Sequence, residues 1–169
     1  MIQSITSANT SVNSIKVPAL FKRIKNWAPN TINLDYGGGK YDTATKYLKD
    51  LKIKNCIYDP FNRSQKDNQQ TLNKAPFDSA TVSNVLNVIK EPEIRKEVIQ
   101  EALNLLKQNA LLYITIYEGN KSGIGRQTSK GWQENRKLKD YLLELKEFDP
   151  QIQNQVIIIR RNNNGKLCK

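Results

Sequence analysis

A nearly uninterrupted apolar run over residues 110–117, Ala-Leu-Leu-Tyr-Ile-Thr-Ile-Tyr, constrains the fold of this 169-residue chain more than any other segment. Most of its residues are β-branched or aromatic, which favours a strand. A strand that is buried on both faces has this pattern, and such strands take interior positions in parallel sheets. The run therefore predicts an α/β fold in which helices cover a mostly parallel sheet.

Strands and helices are expected to alternate along the rest of the chain. Apolar runs predict strands over 31–35, 53–58, 80–85 and 156–159, and apolar residues at helical spacing predict helices over 17–27, 43–51, 92–106 and 138–145. The polar segment 63–74 is expected to form a loop with room for one helical turn, and 118–131 a polar loop. A turn at 162–165 is expected to lead into a return strand over 166–168. This order predicts a mostly parallel sheet that ends in a C-terminal antiparallel hairpin.

The beginning of the chain differs in composition from the rest. Its first 15 residues are rich in Ser, Asn and Thr and lack the basic start and apolar centre of a secretory signal. We expect a flexible lead-in over residues 1–15 and a single domain over residues 16–169. No apolar run approaches the ~20 residues of a membrane span, so no membrane partner is expected. The two cysteines fit a reducing cytoplasm, and nothing in the sequence supports a disulfide between them.

The ionisable residues narrow the chemistry that the chain can perform. It has no histidine, which removes the commonest general base and the commonest ligand of transition metals. We therefore expect no metal site and no Ser-His or Cys-His mechanism. Lys and Arg outnumber Asp and Glu by 27 to 16, for a net charge of +11. Such an excess favours DNA or RNA as a partner, although a coding bias toward Lys and Asn explains it as well.

Three consecutive glycines, Gly37 to Gly39, follow the first predicted strand. They allow the backbone to pass close to a ligand, or they form only a tight strand-to-helix turn. A dinucleotide loop of the form G-x-G-x-x-G would need glycine where Asp42 stands, and Asp35 beside the loop would repel a pyrophosphate. S-adenosylmethionine carries an ammonium, a sulfonium and no phosphate, so it suits these carboxylates.

A second carboxylate supports this ligand. Asp59 ends the strand predicted over 53–58, and Pro60 and Phe61 follow it. A carboxylate at this point can accept hydrogen bonds from both ribose hydroxyls of a nucleoside, and Phe61 can pack against adenine. The alternative is an aspartate that caps a turn with Pro60. The combination with the glycine loop favours the ligand.

These segments resemble class I S-adenosylmethionine-dependent methyltransferases, in particular small methyltransferase-domain proteins of the type common in phage genomes. The resemblance rests on residues 34–39, 58–62 and 75–89 and covers roughly 31–117. It implies a Rossmann-like sheet, S-adenosylmethionine as cofactor with S-adenosylhomocysteine as product, and a location in the cytoplasm, the host cytoplasm for a phage protein. The cofactor-binding residues that it implies are Asp35, Tyr36, Gly37, Gly38, Gly39, Asp59, Pro60, Phe61, Asn62, Asn84, Val85, Leu86 and Asn87.

The sequence departs from the family pattern in three respects. Tyr41 stands near the place of a third glycine. Few residues separate Asp59 from Asp78, so the third strand of the family's sheet is expected to be shortened or missing. The Asp/Asn-Pro-Pro-Tyr/Phe motif of amino-group DNA methyltransferases and the Pro-Cys nucleophile of cytosine-C5 enzymes are both absent.

For methyl transfer the protein has mainly to position the methyl donor and the acceptor. Asn84 and Glu118 are the candidate catalytic residues, Glu118 as a base just past the strand 110–117 and Asn84 as a hydrogen-bonding group. The alternatives are that Glu118 is a solvated loop carboxylate and that Asn84 caps a turn.

Basic residues interleaved with an aromatic residue can bind successive phosphates and stack on a base, or they can form an ordinary solvated loop. The candidate substrate-binding residues of this kind are Lys121, Arg126, Lys130 and Trp132.

The sequence thus predicts an S-adenosylmethionine-dependent methyltransferase that acts on a nucleic acid or nucleotide. Two alternatives stay open. One is a non-catalytic protein of the same fold that binds nucleic acid or a host factor. The other is a methyltransferase with a small-molecule or protein acceptor.

Overall fold

The computed structural model describes residues 2–11 and 15–162. Five helices are present there: α1 (Ala19–Arg23), α2 (Thr43–Asp50), α3 (Gln65–Leu72), α4 (Pro92–Asn104) and α5 (Asp140–Glu144). The strands are β1 (Ile32–Tyr36), β2 (Lys54–Tyr58), β3 (Phe77–Ser83), β4 (Leu106–Thr115), β5 (Gly125–Thr128), β6 (Gly131–Glu134), β7 (Gln151–Gln153) and β8 (Val156–Arg160). Short 3-10 turns lie at Leu86–Val88 and Lys146–Phe148. No helix among these residues is long and apolar enough to cross a membrane.

Six strands form one sheet in the order β2-β1-β3-β4-β8-β7. β1 to β4 are mutually parallel, β8 is antiparallel to β4, and β7 is antiparallel to β8. The predicted fold class is therefore confirmed. The apolar run that predicted it lies in an interior strand, where Leu112 and Ile114 are fully buried. In the described part of the chain no strand pairs beyond β2, so the expected loss of the third strand is confirmed as well.

Two local predictions were wrong. Residues 63–74 contain the two-turn helix α3 because the Ser64 side chain caps it by accepting a hydrogen bond from the Asp67 N–H. Residues 118–131 contain β5, which pairs with β6 in a separate two-stranded sheet. Polar side chains hid this pair, since neither strand alternates apolar and polar residues. The strand paired with β8 at the end of the chain is β7, which precedes it, while the predicted return strand 166–168 lies outside the described residues.

Apolar side chains form two core clusters. The larger cluster joins the sheet to α4 and α5, and the smaller one packs α1 and α2 against the sheet. α4 begins with Pro92 at its first position, where a missing N–H costs no hydrogen bond. Its buried stripe includes Ile94, Val98 and Ala102, as the apolar spacing predicts. These clusters fix the strand ends whose loops form the site.

Candidate functional site

A cavity of about 640 Å³ opens at the carboxyl ends of β1, β2 and β3. Its volume is in the range of small-molecule and cofactor sites, about 300–1,000 Å³. Among its lining residues are most of the predicted cofactor-binding residues: Asp35, Tyr36, Gly37, Gly38, Gly39, Asp59, Pro60, Phe61, Asn62, Asn84, Val85 and Asn87. Leu86 is the exception, because its side chain is fully buried in the larger core cluster.

The glycine loop is held by protein acceptors rather than left open to an anion. Gly37 and Gly39 have φ values of 74° and 73°, a conformation that favours glycine. The N–H of Gly37 donates to the Tyr58 carbonyl at 2.7 Å and that of Gly39 to Asp59 Oδ2 at 2.8 Å. The N–H of Lys40 donates to Ser11 Oγ at 3.1 Å. A pyrophosphate needs such N–H groups free, so the loop is unsuited to a dinucleotide.

Asp59 is more fully engaged by the protein than the sequence indicates. Its Oδ1 accepts hydrogen bonds from the N–H groups of Phe61 and Asn62, both at 2.9 Å, and from Asn62 Nδ2 at 3.1 Å. Its Oδ2 accepts from Gly39. A carboxylate offers about four acceptor positions, and four donors already use those of Asp59, so little capacity remains for two ribose hydroxyls and this expected role stays a prediction. Asp59 joins the glycine loop to residues 60–62, and only Oδ2 retains capacity for a ligand.

Asp35 lies beneath the glycine loop in a polar seam that the sequence does not reveal. Thr81 Oγ1 donates to Asp35 Oδ1 at 3.2 Å, and Asn33 Nδ2 donates to Thr81 Oγ1 at 3.0 Å. The carboxyl group is 2% exposed, and burial raises its pKa to about 7. A Cβ on Gly38 would lie 2.6 Å from Asp35 Oδ2, so the absence of a side chain at Gly38 lets the loop sit on this carboxyl group.

Two buried polar atoms beside the glycine loop have no hydrogen-bond partner among the described residues: Ser83 Oγ and Asn87 Oδ1. Both residues line the cavity, and Asn87 is only 2% exposed. Ser83 ends β3, and Val85 shortly after it approaches the position of a Gly37 Cβ to 2.5 Å. Buried polar groups are normally paired, so these two oxygens indicate a ligand with hydrogen-bond donors at this place.

The start of the chain contributes to the cavity, which sequence reasoning missed. Four residues of the segment 2–11 line it: Gln3, Ser7, Thr10 and Ser11. Ser7 Oγ lies 3.0 Å from the Val88 carbonyl oxygen and is within hydrogen-bonding distance of it. No periodicity marks such a polar segment, so only its tertiary contacts identify it. The flexibility expected for residues 1–15 stays a prediction.

A pair of tyrosines forms another part of the lining, of which the sequence singled out Tyr36 but not Tyr58. The rings of Tyr36 and Tyr58 lie 4.8 Å apart, and the Tyr36 hydroxyl donates to the Glu101 carboxylate. Burial, and next this carboxylate, raise the pKa of Tyr36 above its usual value. Tyr36 and Tyr58 are the last residues of β1 and β2 and lie opposite each other in the sheet. Their shared position at the strand ends is the only feature of the sequence that connects them.

The structure does not bring Glu118 to the cavity. Its Oε1 accepts a hydrogen bond from the Leu138 N–H at 2.7 Å, and its Oε2 pairs with Lys121 Nζ at 3.1 Å. The hydrogen bond from Leu138 is the main reason that the pKa of Glu118 is lowered. A carboxylate with a lowered pKa and two partners is a poor base, so the expected role of Glu118 has no geometric support. Asn84, the other predicted catalytic residue, lines the cavity with φ 58°.

The predicted substrate-binding residues do not line the cavity either. Arg126 and Lys130 are exposed residues of the β5–β6 hairpin, and Lys121 pairs with Glu118. Trp132 packs across Gly125 and beneath the Lys90 ammonium, which lies 5.6 Å from its ring centroid. Gln133 is the residue of this hairpin that reaches the cavity.

No metal site is indicated. Among the described residues no group of three or more Asp, Glu or Cys side chains is placed to hold a metal ion.

No protein-family model matches the sequence, and neither does any curated protein. Solved structures do match. An S-adenosylmethionine-dependent methyltransferase from Methanosarcina mazei superposes with a TM-score of 0.58 at 12% identity, over 80% of this chain and 94% of that one. A 1,6-didemethyltoxoflavin-N1-methyltransferase from Burkholderia thailandensis, with 1,6-didemethyltoxoflavin and S-adenosylhomocysteine bound, gives 0.58 at 16% identity over 86% and 76%. A methyltransferase from Clostridium acetobutylicum gives 0.52 at 12% identity over 78% and 84%. The chain therefore has the fold of S-adenosylmethionine-dependent methyltransferases.

Proposed function

We propose that this protein is an S-adenosylmethionine-dependent methyltransferase whose acceptor is a nucleic acid or nucleotide. The observation that carries the proposal is the electrostatic character of the cavity. Its described lining includes Asp35, Asp59 and Glu101 but no Lys or Arg, although the chain has 27 basic residues. A cavity of this kind favours a nucleoside that carries positive charge and no phosphate.

The residues present fit this cofactor. Ser83 Oγ and Asn87 Oδ1, which lack partners, can accept hydrogen bonds from an ammonium group. Asp35 lies below the loop and favours a nearby cation when it is ionised. Phe61 is 44% exposed at the cavity, which leaves its ring available to an adenine. The bound cofactor would supply a methyl group already activated by the sulfonium, so the protein has only to orient the acceptor and exclude water.

The net charge of +11 supports a nucleic-acid acceptor, since long-range attraction draws polyanions to a basic surface. A small-molecule acceptor is the second candidate. It is favoured by the residues of segment 2–11 that line the cavity and by the structural relative from Burkholderia thailandensis, which was solved with 1,6-didemethyltoxoflavin bound.

Calorimetric titration with S-adenosylmethionine, S-adenosylhomocysteine and NAD⁺ tests the cofactor. We expect the first two to bind and NAD⁺ to give no heat of binding, because the amides of the glycine loop are already used. Binding of NAD⁺ alone, or of none of the three, would refute the proposal.

A matched pair of variants locates the site. Gly37 and Gly123 have the same φ of 74°, so alanine strains the backbone equally at both. Only Gly37 lies at the cavity, and the added Cβ would meet Val85 at 2.5 Å, whereas Gly123 has open space. Gly37→Ala should weaken cofactor binding by tenfold or more while Gly123→Ala leaves it unchanged. Equal effects of the two variants would place the cofactor elsewhere.

A further inference from the structure

We propose that the acceptor is a neutral nitrogen heterocycle of the nucleobase type, which enters the cavity without its phosphates; this inference rests on the methyl transfer proposed above. It starts from the distribution of charge. None of the described residues that line the cavity is Lys or Arg, and a phosphate is normally bound by such groups or by free N–H groups at a helix start. The N–H groups of Gly37, Gly39 and Lys40 already have acceptors.

The side chains on the acceptor side are neutral and suited to a flat ring. We define the acceptor face as Asn84, Tyr117 and Gln133, three cavity-lining residues that follow β3, follow β4 and belong to β6. The Asn84 N–H donates to the Thr115 carbonyl, which places the ends of β3 and β4 side by side. β6 packs against the 3-10 turn that follows Asn84. The three residues therefore border one region of the cavity.

Each member of the acceptor face offers a group to a heterocycle. Tyr117 is 61% exposed, so its ring is free to stack on a base. Gln133 uses its Nε2 to donate to the Glu134 carbonyl at 3.0 Å, which leaves Oε1 as an acceptor. The Asn84 side chain makes no hydrogen bond to any other described residue and can both donate and accept. Amide groups beside an aromatic ring match the edge and the face of a nucleobase.

The nucleophile follows from the absence of a base. The acceptor face has no carboxylate, and the nearby Glu118 is held by Leu138 and Lys121. The three carboxylates elsewhere in the described lining are engaged: Asp35 lies beneath the glycine loop, Asp59 accepts four hydrogen bonds and Glu101 accepts one from Tyr36. The acceptor atom must therefore be nucleophilic without prior deprotonation, as a neutral nitrogen with a lone pair is. The nitrogen lone pair forms the new N–CH₃ bond as the S–CH₃ bond breaks, the sulfur keeps that bonding pair and becomes a thioether, and a nitrogen-bound proton leaves to water.

Two basic residues are sequence neighbours of lining residues. Lys40 follows Gly39, and Lys90 follows Ile89. Their ammonium groups lie over the rings of Tyr41 and Trp132 at 5.2 and 5.6 Å from the centroids. The same ring chemistry is available from a free nucleoside or from a base of a single-stranded polymer.

Transfer of a labelled methyl group distinguishes these sources. The acceptors are the common nucleosides, their 5′-monophosphates, and single-stranded RNA and DNA oligonucleotides, with mass spectrometry to locate the methyl group after digestion. We expect methylation of a base nitrogen and no gain in kcat/KM from the 5′-phosphate of a monomer. Transfer to oligonucleotides that falls steeply with salt identifies a polymer, and salt-independent transfer to nucleosides identifies a free nucleoside.

Three outcomes would overturn the inference: methylation of a ribose or phosphate oxygen, a tenfold preference for monophosphates, or no transfer to any base. The calorimetric titration with S-adenosylmethionine decides separately whether the proposed function fails.

A binding measurement tests the acceptor face without turnover. With S-adenosylhomocysteine bound, Tyr117→Ala should weaken binding of the accepted nucleoside or oligonucleotide on the order of tenfold, whereas Tyr117→Phe keeps it and both variants keep their affinity for S-adenosylhomocysteine. Leu143→Ala, at a residue 75% exposed that is not in the lining, is the control for loss of an exposed apolar side chain. Unchanged acceptor binding by Tyr117→Ala refutes the assignment.

Discussion

Replacement of Asp35 by Asn should stabilise the ligand-free protein at neutral pH. Burial raises the pKa of this carboxyl group from 3.8 to about 7, while hydrogen bonds from Asn55 and Thr81 act in the opposite direction. The folded protein therefore holds a proton on Asp35 over a pH range in which the unfolded chain has lost it. Asn is nearly isosteric and neutral at every pH, so it removes the cost of ionising a buried group.

The sign and size follow from this difference in pKa. Below pH 3.8 both states are protonated and the neutral carboxyl group costs the fold nothing extra. As the pH rises to about 7 the unfolded state ionises first, so the free energy of unfolding of the wild type falls. The shift of about three units corresponds to about 4 kcal/mol at 1.36 kcal/mol per unit. Asp35→Asn should lack this decrease, so its advantage grows from near zero at pH 4 to about 4 kcal/mol at pH 8.

Urea unfolding of both proteins from pH 4.5 to 8.5, followed by the fluorescence of Trp27 and Trp132, measures the difference directly. Other carboxyl groups titrate in both proteins, so subtraction isolates Asp35. A difference that stays constant over this range would refute the reasoning.

The affinity for the cofactor should depend on pH in the opposite direction to the stability. A cation favours ionised Asp35, so the affinity of the wild type for S-adenosylmethionine should rise as the pH passes through about 7 and level off above it, whereas that of the variant does not.

Three further outcomes are expected. Arg95→Leu removes the hydrogen bonds of this buried guanidinium to Glu144 at 2.6 Å and to the Ile89 carbonyl at 2.8 Å, while Glu144 keeps Arg136 at 2.6 Å. It should cost about 1–3 kcal/mol in urea unfolding, and a loss well below 1 kcal/mol would contradict this. Gly131→Ala places a Cβ 2.8 Å from the Thr6 carbonyl oxygen, so amide exchange in residues 2–11 should accelerate, and unchanged protection would show that the segment does not rest on the hairpin. Ser64→Ala removes the cap of α3 and should lower the free energy of unfolding by about 1 kcal/mol, with no change if the helix depends on packing alone.

For Asp59 the sequence predicted the place in the site but not the hydrogen bonds. Its position after β2 correctly placed it at the cavity, because residues that follow parallel strands meet at one edge of the sheet. Its hydrogen bonds depend on the turn formed by residues 60–62 and on the approach of Gly39 from another loop. No local pattern encodes how many of its acceptor positions remain free. The same holds for Glu118, whose partner Leu138 lies 20 positions away.

By itself, the sequence determined the alternation of elements, the interior position of the apolar run 110–117 and the meeting of the glycine loop with Asp59 and Asn84 at one sheet edge. Strand periodicity and the direction of parallel strands suffice for those conclusions. Only the tertiary structure decided the raised pKa of Asp35, the contribution of residues 2–11 to the cavity and the absence of Lys and Arg among the described residues that line it. These properties arise from burial and from contacts between residues far apart in the chain, which a pattern of neighbouring residues does not contain.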